Sequence, residues 1–206
     1  MVNPSDAPPH RRRPGAHDPE GRRQDVLQAA RRLFASHGYA GTSVRAIAAA
    51  AEVNQAQVVT YFGGKEALFV EAVGRFEIEQ DVLAGPVDGV GARIARAYID
   101  RWEHMSDEDP WPALIRSSMS HGPSHELLRA ELERQLTIPL GRLLGDTGDG
   151  PVRNALVQCL VAGMIMERYI YALEPARSLP ADAFERGLAA ALQHAIGGPL
   201  TALERP

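Results

Sequence analysis

The chain has 206 residues, 45% of them hydrophobic and 23% charged, with a formal net charge of −4; this is the composition of an ordinary folded protein, longer than one typical domain and short of two full ones. Its longest apolar run, Leu160 to Met166, is far too short to span a bilayer and leads directly into Glu167 and Arg168, which argues against a membrane protein. The single cysteine, Cys159, excludes an internal disulfide and lies among apolar residues, so it reads as a buried thiol in a reducing compartment, the cytoplasm.

Residues 1–20, "MVNPSDAPPHRRRPGAHDPE", have no apolar stretch and no small-residue cleavage site, so they read as a disordered basic tail and not as a secretory leader. Charge is unevenly spread. Up to residue 70 there are nine Lys and Arg against six Asp and Glu, and beyond it thirteen against twenty. A basic N-terminal part on an acidic body suits a protein whose first part meets a polyanion.

From Arg22 onward, Val26, Leu27, Ala30, Leu33 and Phe34 recur at helical spacing, and Gly38 stops that helix. Thr42 or Ser43 caps a second short helix, "VRAIAAAAEV", buried through Val44, Ile47, Ala48 and Ala51. Asn54 caps a third, in "VNQAQVVTYFGGKEALF", with Val58 and Phe62 inward and Val53 as a staple before them. Gly63 and Gly64 end it, and a longer fourth helix starts at Lys65, the only lysine of the chain, with Leu68, Phe69, Ala72, Val73 and Phe76 on one side. The remaining periodicity predicts helices near Val90–Met105, Pro112–Ser120, Ser124–Leu144, Pro151–Leu173 and Ala181–Ile196, with Pro139 bending the third of these. No segment alternates with the period of two that a strand needs, so the fold class is all-α: an N-terminal three-helix, helix-turn-helix unit over residues 21–66 and a larger helical unit over 67–206.

The third helix is too short to be stable alone, and its outer face carries amides and a hydroxyl where charges would solubilise it better. Two short helices joined by a tight turn, the second presenting Gln55, Gln57 and Thr60, form a unit whose second member fits a DNA major groove. Amides pair with adenine edges and hydroxyls with either base, without the sequence-blind attraction of a cation. Tyr61, Lys65, Thr42 and Ser43 supply hydroxyl and ammonium donors at helix ends, where phosphates bind.

The stretch "VLQAARRLFASHGYAGTSVRAIAAAAEVNQAQVVTYFGGKEALF" resembles the DNA-binding domain of the tetracycline-repressor (TetR) family of bacterial transcription regulators. The A-x-x-L-F, G-Y, T-S-V-x-x-I-A, V-N-x-x-x-V, Y-F and K-E-x-L-F elements stand in the family's order and spacing over residues 22–70. The resemblance implies a recognition helix from Gln55 to Phe62, with Gln55, Ala56, Gln57, Val59 and Thr60 facing bases, Tyr61 and Lys65 as phosphate anchors, and Thr42 and Ser43 as the anchor on the second helix. Three positions depart from the family pattern. Glu52 stands where a turn glycine is common, and a left-handed conformation there costs about 1 kcal/mol; Val59 replaces a frequent aromatic; Gly63-Gly64 replaces a more usual Pro-Ser pair. The Arg-rich tail reads either as an arm into the adjacent minor groove or as a plain solubilising tail.

In the body, "VRNALVQCLVAGMIMERYIYAL" is apolar most of the way round and must be covered on more than one side. Together with the last helix it predicts a four-helix homodimer interface through Leu156, Leu160, Gly163, Met164, Tyr171, Phe184, Leu188, Ala191 and Leu192. The resemblance further implies a small, largely apolar effector in this unit, whose binding releases the repressor from a near-palindromic double-stranded operator. Phe76, Tyr98, Trp102, Met105, Trp111, Ile115, Met119, Met166 and Tyr169 are its candidate lining, and the fourth helix, Lys65 to Glu79, is the lever between the units. Met and aromatic residues at this spacing equally serve as plain core.

An enzyme is not indicated. His121 and His125 straddle Gly122-Pro123 and make a poor metal pair, Asp107-Glu108-Asp109 reads as a solvated turn, and no Gly-rich phosphate loop occurs; no cofactor or metal is expected. The rival reading is a helical module that docks protein through its N-terminal unit and binds no specific DNA.

Overall fold

The computed structural model describes residues 19–74, 82–146 and 148–200. Among these, ten α-helices and two π turns form the molecule and no strand occurs. The helices are α1 (Pro19–Gly41), α2 (Val44–Ala50), α3 (Gln55–Phe62), α4 (Lys65–Val73), α5 (Val90–Glu103), α6 (Trp111–Ser118), α7 (Gly122–Leu132), α8 (Ile138–Leu144), α9 (Gly150–Met164) and α10 (Ala181–Gly197).

Helices α1 to α4 make a head around Val26, Ala30, Phe34, Ile47, Val58, Phe62, Leu68 and Phe69, all buried. Phe34 meets Phe69 edge to face at 4.8 Å, and Tyr39 meets Phe69 at 5.0 Å, so aromatic contacts close the side of the head that faces the body. Gly38 interrupts α1 with φ 69 and ψ 178, a backbone state open mainly to glycine; the kink swings Tyr39 back onto the helix. The turn after α2 keeps a left-handed residue without a glycine: Glu52 sits at φ 54, and the next amide, Val53 N–H, donates to Ala48 O at 2.9 Å.

Helix α4 is held to α1 by two polar clasps. Arg23 Nη2 donates to both Glu71 oxygens at 2.5 and 2.6 Å, and Arg31 Nε donates to Ala72 O at 3.1 Å. A unit boundary after residue 66 therefore falls inside a helix that packs with the head. The lever expected from Lys65 to Glu79 is not one continuous rod: α4 closes at Gly74, whose φ of 61 and ψ of −162 are not helical. Residues 75–79, Phe76 included, lie outside the described residues.

In the body, α5 and α10 approach backbone to backbone at Gly91. A Cβ there would lie 2.6 Å from Ala189 O and 2.8 Å from Gln193 Cα, so only glycine permits this crossing. Gln193 then caps α5 from outside, its Oε1 accepting from Gly89 N and Gly91 N at 3.1 and 3.0 Å while its Nε2 donates to Val87 O. The bend expected at Pro139 takes the form of a π turn over Glu133–Thr137, closed by Ile138 N–H donating to Glu133 O; the wider turn accommodates a proline that has no amide to give residue 135. A second π turn, Ile165–Ile170, ends α9. Arg168, buried there, reaches Glu103 on α5 and the carbonyls of Ala176 and Leu179, tying the loop before α10 to the bundle.

Candidate nucleic-acid interface

The α2–turn–α3 unit is fixed by side-chain caps. Ser43 Oγ accepts from Ala46 N at 3.1 Å and starts α2; Asn54 Oδ1 accepts from Gln57 N at 2.8 Å, and Gln57 Oε1 accepts from Asn54 N at 3.1 Å, a reciprocal capping box that starts α3. With Val58 and Phe62 buried, Gln55, Ala56, Val59 and Thr60 lie exposed on the other side of α3. Val59 is 50% exposed, an apolar side chain offered to solvent in the middle of that face and suited to a thymine methyl.

Two expected contacts are corrected. Thr42 is buried, and its hydroxyl donates inward to Gly38 O at 2.8 Å and Leu33 O at 3.0 Å; it joins the end of α1 to the start of α2 and is not placed to meet phosphate. Gln57 is only half exposed and its carbonyl oxygen is committed to the cap, which leaves Gln55 as the glutamine free to present both amide atoms. Thr60 Oγ1 donates to Ala56 O at 2.8 Å, keeping its lone pairs for a partner. Ser43 is exposed, and capping through its oxygen leaves the hydroxyl proton for an outside acceptor. Arg45, exposed in the first turn of α2, was not singled out from sequence; it is the lone charged residue of Val44–Ala51, which was the available signal.

Beside this face stand Tyr61 and Lys65. Tyr61 is half-buried, edge-on to Phe62 at 6.4 Å. Lys65 Nζ lies 4.1 Å from the Tyr39 ring centroid, and burial pushes its pKa below the usual lysine value. The same burial, with Glu66 nearby, raises that of Tyr39. The ammonium is thus partly stripped of water, rests on an aromatic face and stands at the first position of α4, an arrangement suited to binding an anion.

The body holds an apolar cavity of about 290 Å³ lined by Ile115, Leu128, Leu132, Leu136, Gln158, Cys159, Val161, Ala162, Ile165 and Met166. A recess of about 30 Å³ with Tyr98, Trp102, Trp111, Glu131 and Gln135 shares Ile115, Leu132 and Ile165 with it. Of the expected lining, Ile115 and Met166 face the cavity and Tyr98, Trp102 and Trp111 the recess. Met119 is corrected: it is 79% exposed and lines neither. Met105 packs on the core outside both, and Tyr169 stacks on Trp102 at 5.3 Å with its hydroxyl donating to Glu103. Cys159 is exposed and not buried, because its side of α9 faces the cavity and not the core. Leu128, Leu132 and Leu136, spaced by four, went unread as lining although their period marks one helix face. A larger recess of about 430 Å³, between α1, the end of α4 and the α5–α6 loop, is polar, and ion pairing occupies it: Arg101 holds Asp109 at 2.5 Å.

The expected interface residues separate into two sets. Leu156, Gly163, Tyr171 and Ala191 are exposed and Leu160 and Phe184 half-buried. Met164, Leu188 and Leu192 are corrected: they are buried within the chain's own core, since the leucine face of α10 packs on α5. Exposed small residues, Gly187, Ala190 and Ala191, mark the outer side of α10, and α9 exposes Val152 and Leu156.

No helix among the described residues is long and apolar enough to cross a membrane. Residues 26–72 match the bacterial regulatory proteins of the tetR family, and residues 88–196 match the tetracyclin repressor-like C-terminal domain. The chain is 34% identical over 149 residues to the HTH-type transcriptional repressor SCO4008 of Streptomyces coelicolor, covering 71% of this chain and 73% of that one. It is 42% identical over 52 residues to the transcriptional repressor AcnR of Corynebacterium glutamicum, a match spanning 25% of this chain and 28% of AcnR. Among solved structures, a TetR-family regulator of Streptomyces coelicolor, SCO0857, is 33% identical with a TM-score of 0.56, over 88% of this chain and 98% of that one. NalD, the secondary repressor of the MexAB-OprM pump in Pseudomonas aeruginosa, is 20% identical and shares the fold at a TM-score of 0.67, over 87% and 98%. With both its head and its body matched, the chain belongs to the TetR family of transcriptional regulators.

Proposed function

We propose that the protein is a homodimeric, cytoplasmic repressor that sets α3 of each subunit into successive major grooves of a near-palindromic operator and lets go when a small apolar molecule fills the cavity. The observation that carries this is the α3 face: Gln55, Val59 and Thr60 exposed side by side on a capped helix, with Lys65 held at its edge. Gln55 and Thr60 read base edges, Val59 meets a thymine methyl, and Lys65, Tyr61, Ser43 and Arg45 meet phosphates. One such helix buries too little surface for specificity, so two copies are required; the exposed faces of α9 and α10, with Leu156, Gly163, Tyr171 and Ala191, are the surface for pairing.

The cavity lining selects the effector by charge. Its amide is already satisfied, Gln158 Oε1 accepting from Thr137 Oγ1 at 2.9 Å and Nε2 donating to Asn154 Oδ1 at 2.8 Å, and no ionised side chain lines it. A charged molecule would lose its hydration there without replacement, so the effector is uncharged. Release requires that it bind the DNA-incompetent arrangement more tightly than the competent one.

The test is enrichment of a duplex from a random-sequence pool by the full-length protein, followed by titration in rising salt. An inverted repeat is expected, with affinity falling steeply as salt rises. Lys65→Ala and Tyr61→Phe should weaken all duplexes alike, whereas Gln55→Ala should change which duplex is preferred. A monomer in solution, or retention of affinity at high salt, would overturn the reading in favour of a protein-docking module.

A further inference from the structure

The break at Gly74 and the clasps between α1 and α4 bear on how the body speaks to the head. Arg23 and Arg31 fasten α4 to α1, so α4 is bound into the head as far as its end at Gly74. A second route meets the head at the corner between α6 and α7. There the His121 ring stacks on Tyr39, centroids 3.9 Å apart and planes 30° apart, and the same Tyr39 ring carries Lys65 Nζ at 4.1 Å. His121 is also the N-cap of α7: its Nδ1 accepts from Ser124 N at 3.2 Å and pairs with the fully buried Ser124 hydroxyl at 2.7 Å. Helix α7 then carries Leu128 and Leu132 into the cavity wall. Phe69 meets the Tyr39 ring edge to face, so the ring is packed by the head while being stacked by the body.

We propose that Tyr39 and His121 are positioning residues for DNA binding: His121 sets the Tyr39 ring, and that ring holds the Lys65 ammonium where the head meets phosphate. A residue of the body that touches no DNA thereby tunes the grip on it, and the start of α7 links that grip to the cavity. The inference rests on Lys65 being a phosphate contact. Movement of the α7 wall shifts His121, and with it the aromatic surface on which the cation rests.

A double-mutant cycle on the full-length dimer tests this, with the duplex that the wild type enriches from a random pool. His121→Asn keeps an acceptor for the α7 cap and removes the ring; measured well below a melting temperature that the lost stack lowers by a few degrees, it should weaken binding about three- to tenfold, up to the scale of losing the Lys65–Tyr39 cation–π contact in each subunit. In a Lys65→Ala background the same substitution should have almost no effect. His121→Phe, which keeps a ring and loses the cap, should melt lower yet retain most of the affinity well below its transition. Unchanged affinity in His121→Asn, or an equal loss with and without Lys65, overturns the proposal while leaving DNA binding intact. If the wild type enriches no duplex, the DNA-binding reading fails and this inference falls with it.

Discussion

Replacing Gly91 with alanine probes the crossing on which the body is built. The added methyl would meet the α10 backbone, with Ala189 O at 2.6 Å and Gln193 Cα at 2.8 Å; none of these atoms can swing away as a flexible side chain would. Helix α10 must retreat, which costs about 1–3 kcal/mol in overpacking and displaced contacts. The retreat also withdraws Gln193 from Gly89 N and Gly91 N, and each lost hydrogen bond costs about 1 kcal/mol. Alanine in place of glycine within a helix returns about 1 kcal/mol. The balance is a loss of about 2–4 kcal/mol, a fall of about 5–15 °C in Tm for a chain of this length. The assay is thermal melting followed by circular dichroism at matched protein concentration, since any self-association would make Tm depend on it. A variant that melts with or above the wild type would show that α5 and α10 do not make this contact.

Thr42→Val keeps the shape of the side chain and leaves Leu33 O and Gly38 O without its hydroxyl proton; stability should fall by about 1–3 kcal/mol, with DNA affinity unchanged well below the transition. Lost affinity at full stability would restore Thr42 as a DNA contact. Tyr98 is buried and its pKa is raised by that burial. The folded chain therefore keeps the proton that the unfolded chain gives up above pH ~10, so stability is fully present below that pH and falls above it, by up to about 1.4 kcal/mol per pH unit. Urea midpoints measured from pH 9 to 12 should decline less steeply in Tyr98→Phe; parallel curves would refute this.

What was legible in the sequence is what local chemistry settles. Ser43 and Asn54 were readable as caps because a short polar side chain ahead of an apolar period satisfies free amides, and Val58 and Phe62 were readable as core from their spacing alone. Thr42 misled because the same residue type caps helices and braces corners, and only the kink at Gly38 turns its hydroxyl inward. Leu188 and Leu192 were expected at an interface between copies because they share a helix face, four residues apart, but periodicity does not say whether the chain itself or a second copy covers that face. Gly74 was hidden within an apolar period that runs past it. The His121–Tyr39–Lys65 contact joins three elements, and no pattern along the chain encodes such a meeting.

The glutamine that caps α5 from α10 also bears on the order of assembly. The contacts of α1 through α4 lie within some fifty residues of one another, whereas Gly89 and Gln193 are 104 positions apart. During synthesis the head can close early from nearby contacts, while the start of α5 stays unfinished until the ribosome has released α10. The head is thus complete while the body is still being made.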